Sequence, residues 1–150
     1  MWARGGCFVA AIALALSSEA RAARLWEWRY DAAEISAAGT LTTEDVPDAA
    51  GFYRIIAING QRNGSAITGL QQANTPIPGN EPYAVDNRVR MAPPQLTKAG
   101  FGFALRDGGH ANPFFADFQS PPGYLEFHVQ SGGVHTELPV SFKVAPVSQP

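Results

Sequence analysis

His128, His135 and Glu137 stand close together near the end of the chain, two imidazoles and a carboxylate. Three such groups can hold Zn²⁺ with one coordination position open for a water or substrate. The pattern around them predicts a hairpin with a two-residue turn at Gly132-Gly133. That turn sets Val129 opposite Thr136, Phe127 opposite Leu138 and Leu125 opposite Val140, with Phe142 and Val144 continuing one apolar face. The other face then carries Glu126, His128, Gln130, His135, Glu137 and Lys143. In this register Glu137 faces His128 and His135 is its diagonal neighbour, ~7–8 Å away at Cα and within reach of a shared metal. The same residues read more simply as a solvated face on which His and Glu pair across strands, and no residue of a third strand is identifiable to enclose a metal. A metal-dependent hydrolase is therefore the alternative function and not the leading one.

A second constellation is Arg106-Asp107-Gly108-Gly109-His110, a turn that could set Asp107 to orient His110 as a base. Catalysis would need a nucleophile beside it, and no Gly-x-Ser-x-Gly elbow occurs. No phosphate loop, dinucleotide fingerprint or calcium-loop spacing is present, and no cofactor is expected. The aromatic residues form the third candidate. Trp26, Trp28 and Tyr30 recur at every second position and share one face of a strand. Such a stripe can stack on sugar rings or line an apolar cavity, or simply form core. Phe114, Phe115 and Phe118 read as core or as the rim of a pocket.

The elements that must position these side chains are strands. Short alternating segments sit between Gly, Pro and Asn punctuation, at 25–30, 34–43, 52–59, 65–70, 84–91, 101–105, 112–117, 124–130 and 136–144. Asn63-Gly64 is the clearest turn signal, suited to a type I′ hairpin. The stretches 44–51 and 71–82 carry prolines or acids and no apolar period, and read as long loops. The expected fold is all-β: one antiparallel domain of eight or nine strands, as an up-and-down barrel or a two-layer sandwich.

Residues 1–22 read as a cleavable signal-peptide helix. Arg4 supplies the charge, Phe8–Leu16 the apolar stretch, and Ala20 and Ala22 the small residues of the cleavage site. Cleavage removes Cys7, the one cysteine of the 150-residue chain. The expected organisation is a signal peptide over 1–22, a β-domain over 23–144 and a flexible tail over 145–150. A periplasmic or secreted location follows, with no membrane anchor after cleavage. The net charge of −2 gives no basic face for nucleic acid.

In chain order, Gly39–Thr43, Gly51–Gly60, Arg62-Asn63-Gly64, Ile67–Leu70, Asp86-Asn87 and Gly100–Phe103 together resemble the ectodomain of uncharacterised bacterial secreted proteins of the PEP-CTERM type. The resemblance implies export and an association with exosortase systems and exopolysaccharide. It implies no reaction and no catalytic residues. The Val-Pro-Glu-Pro sorting tail of that family is not found in this sequence. The reading that results is a non-enzymatic β-domain whose partner is an extracellular polysaccharide or a small apolar ligand.

Overall fold

The computed structural model describes residues 22–148. The expected leader lies outside them, apart from Ala22. Nine strands follow one another: β1 (Ala23–Ala32), β2 (Ile35–Glu44), β3 (Tyr53–Arg62), β4 (Ser65–Leu70), β5 (Arg88–Val89), β6 (Phe103–Leu105), β7 (His110–Ala116), β8 (Gly123–Val129) and β9 (His135–Pro146). Every pairing is antiparallel, in the order β2-β1-β9-β8-β7-β6-β4-β3, and β2 also pairs with β3. That last pairing closes eight strands into a barrel and leaves β5 as an appendage on β3. Of the two architectures left open by the sequence, the barrel is the one formed. Closure leaves none of the eight strands with a free edge along its whole length.

Alternation along β1 decides what fills the barrel. Trp26, Trp28 and Tyr30 are buried and their odd-numbered neighbours are not. They pack with Leu41, Phe101, Phe103, Phe142 and Val144 in one continuous core. The ring centroids of Trp28 lie 5.7 Å from Phe101 and 5.8 Å from Phe103. Beside this aromatic filling, β2 and β3 approach closely. Gly39 pairs with Gly60, and a Cβ on Gly39 would stand 1.9 Å from the Asn59 carbonyl oxygen. Glycine at such a point lets neighbouring backbones meet at a barrel bend.

The Asn63-Gly64 turn forms as expected, with φ of 47° and 80° at its two residues. The expected strand over 84–91 shrinks to β5, because the long excursion between β4 and β6 is held by tertiary contacts rather than by a ladder. It sends Val89, Leu96 and Phe101 into the barrel core and lays Ile77 on the outside of β8, against Phe127 and Val129. Residues 145 and 146, expected in a flexible tail, belong to β9. β9 runs on to Pro146 beside Trp26, and the Val147 amide donates to the Leu25 carbonyl at 2.9 Å.

The C-terminal hairpin differs from its expected register by one residue. Val129 pairs with His135, Phe127 with Glu137 and Leu125 with Pro139. The reason is the turn, which uses three residues, Ser131-Gly132-Gly133, closed by the Gln130 amide on the Val134 carbonyl at 2.8 Å. Gly133 takes the left-handed position, φ 87°, that such a loop requires. A one-residue slip exchanges the two faces of a strand. Glu126 and His128 therefore point into the barrel, while Phe127 and Val129 lie on its outside beneath the excursion.

Candidate functional site

The slip separates the three candidate metal ligands. His128 pairs with Thr136 and shares the interior face, whereas His135 and Glu137 flank that position on the exterior. The His135 ring stacks on Phe127, 5.2 Å between centroids and 21° between planes. With His128 on the other side of the sheet, the three cannot ligate one ion. The described residues hold no group of three His, Cys, Asp or Glu placed to bind a metal.

The aromatic stripe is likewise not a platform. Trp26, Trp28 and Tyr30 are each at most 2 % exposed and present no ring face to solvent. Trp26 Nε1 donates to Thr43 Oγ1 at 2.9 Å inside the barrel. The Tyr30 hydroxyl donates to Glu126 Oε2. Arg62 completes this buried network, with Nε and Nη2 donating to Glu126 Oε2 and Oε1 at 2.6 Å each. Burial, reinforced by the Glu126 charge, pushes the Tyr30 phenol well above its ordinary value. Burial works against the Arg62 charge, but its hydrogen bonds to Glu126 outweigh that and hold it protonated. The network satisfies polar groups within a closed core and offers no group to a substrate. His128 sits at its edge. Burial holds its imidazole below the usual range, and Arg62 adds to that effect against Glu126 and Asp107.

Asp107 does not serve His110. Its Oδ1 accepts the Gly109 amide at 2.8 Å and closes the turn locally. Burial lowers the His110 pKa and Asp107 opposes this only in part.

What the fold does build is a groove on the outside of the barrel. The excursion crosses the outer face of β7 and β8, leaving a cleft of ≈ 760 Å³. Phe114 from β7 and Phe127 from β8 line it, with Asn80, Pro82, Tyr83 and Ala84 on one side, Lys98 and Ala99 on the other, and Glu137 from β9. Phe118, just past β7, adds a ring at the rim. Tyr83 and Phe118 are 70 % and 72 % exposed, two large aromatic rings open to solvent at the cleft. Beneath the cleft lies Asn112, which is 2 % exposed. Its amide nitrogen donates to the carbonyls of Ala99 and Phe101 at 3.1 and 2.9 Å, and its oxygen accepts from Asn80 at 3.4 Å. One buried side chain thus ties both sides of the cleft to β7. Lys98 Nζ meets Asp117 Oδ2 at 2.7 Å beside Phe118.

Of the phenylalanines singled out in the sequence, Phe114 lines the groove and Phe118 forms its rim. Phe115 packs inward on Tyr124, 5.6 Å between centroids. Sequence reasoning missed Asn80, Tyr83 and Lys98, which lie outside the periodic segments, and Asn112, a polar residue of β7 whose partners come from the excursion. Comparison with protein-family models, with curated proteins and with solved structures finds no match.

Proposed function

We propose that this chain is an extracytoplasmic, non-enzymatic β-barrel module that binds a glycan in the groove beside β7 and β8. The observation that carries this reading is the pair of exposed rings, Tyr83 and Phe118, at a cleft that also presents Asn80, Lys98 and Glu137. Aromatic faces stack on the apolar faces of sugar rings, and a few polar groups beside them fix orientation. The cleft volume falls in the range of small-molecule sites, roughly 300–1,000 Å³, enough for a few sugar units. The leader over residues 1–22 and the resemblance to exosortase-associated proteins favour an extracellular polysaccharide as the source of that glycan.

Affinity electrophoresis in gels cast with the source organism's exopolysaccharide tests the proposal. Migration should slow as polysaccharide is raised. Tyr83→Ala and Phe118→Ala should each weaken retardation by at least about fivefold, as truncation of an aromatic anchor does. Both side chains are exposed, so neither variant should lose its fold. Mobility of the wild type that stays constant across the series would refute glycan binding.

A further inference from the structure

The charges around the groove point to which glycans it admits. Lys98, the one cation among the described residues that line it, is already engaged by Asp117 at 2.7 Å. Glu81, beside the excursion wall, directs both carboxylate oxygens at the Gly79 amide, at 3.2 and 3.1 Å. Glu137 is different. It lines the cleft on the exterior of β9, paired across the ladder with the apolar Phe127, and it makes no ion pair among the described residues. The groove therefore combines aromatic surface with one uncompensated carboxylate and a surplus of negative charge. A uronate-rich polymer would set like charge against Glu137, whereas a protonated amine would meet it.

We infer that the groove selects glycans carrying amino sugars, with Glu137 as the residue that sets this preference. The inference rests on the proposed glycan-binding function. The discriminating substituent is a free ammonium on the sugar, held by the Glu137 carboxylate while the ring lies on Tyr83 or Phe118. An exposed or half-exposed ion pair of this kind is worth about a two- to fivefold gain in affinity, and the gain shrinks as salt screens it.

Titration calorimetry with three hexasaccharides tests it: β-1,4-linked glucosamine, the neutral β-1,4-linked glucose hexamer and a hexa-uronate. The buffer is mildly acidic and low in salt so that the amines carry charge. The glucosamine oligomer should bind about two- to fivefold tighter than the neutral one, and the uronate weakest. Glu137→Gln should bring the glucosamine and neutral oligomers to equal affinity. A uronate that binds as well as the neutral oligomer, or a preference that survives Glu137→Gln, would overturn the selectivity and leave the groove as a binding site. Failure of all three to bind would overturn the glycan-binding function itself, and the selectivity with it.

Discussion

Replacing Glu126 by glutamine would leave the Arg62 guanidinium charged inside the barrel without a counter-ion. Arg62 is 7 % exposed and Glu126 is fully buried, and two hydrogen bonds of 2.6 Å join them. Water cannot take over the lost charge pairing at that depth. Breaking a buried pair from one side costs about 3–5 kcal/mol, a large part of the stability of an ordinary domain. With a urea m-value of about 2 kcal/mol/M, the unfolding midpoint of Glu126→Gln should fall by about 2 M. The companion variant removes the whole network as Tyr30→Phe, Arg62→Met and Glu126→Leu together. No buried charge or hydroxyl is then left over, so its stability should lie within about 1 kcal/mol of the wild type or above it. Urea titrations followed by tryptophan fluorescence report both, since Trp26 and Trp28 are core residues. A loss under about 1 kcal/mol in Glu126→Gln, or a triple variant as damaged as the single one, would refute the reasoning.

Three further predictions concern the barrel. Gly39→Ala forces a methyl to 1.9 Å from the Asn59 carbonyl and should cost about 3 kcal/mol or more, read as a drop in urea midpoint. Acid should destabilise the fold through His128, whose folded pKa lies below the ordinary 6.5 chiefly because of burial. The neutral ring is the one the fold accommodates, so its contribution is full above pH 6.5 and is lost as pH falls through the folded value. His128→Gln should flatten the fall in urea midpoint on acidification through that range. Tyr30 acts at the other extreme. Its folded pKa is raised above 10.0, so the stability it contributes is present below pH 10.0 and is lost as pH rises through the folded value. Midpoints measured in strongly alkaline buffers should fall more steeply for the wild type than for Tyr30→Phe.

The strands and the Asn63-Gly64 turn were legible because alternation and turn chemistry act over a few residues. Trp26, Trp28 and Tyr30 alternate cleanly, and their face is buried. The faces of β8 were not legible, for two physical reasons. Glu126 looks like a solvent-facing residue until Arg62 and Tyr30, distant in sequence, supply its partners inside the barrel. Phe127 and Val129 look like core, yet they are covered from outside by Ile77 of the excursion. The three-residue turn then shifts β9 by one position, which alone separates His128 from His135 and Glu137. The groove had a partial signal in Phe114 and Phe118. Tyr83 and Asn80 join it only through the path of an aperiodic segment, which Asn112 holds by side chain–backbone hydrogen bonds that leave no trace in a local pattern.

Glycan binding in the groove is tested most directly by a ¹⁵N-resolved NMR titration of the protein with the glucosamine hexamer. Amide shifts should move in a contiguous set at Asn80, Glu81, Tyr83, Ala84, Lys98, Phe114, Phe118, Phe127 and Glu137, while β1 to β3 stay still. Shifts centred on another surface, or none at saturating ligand, would contradict the account.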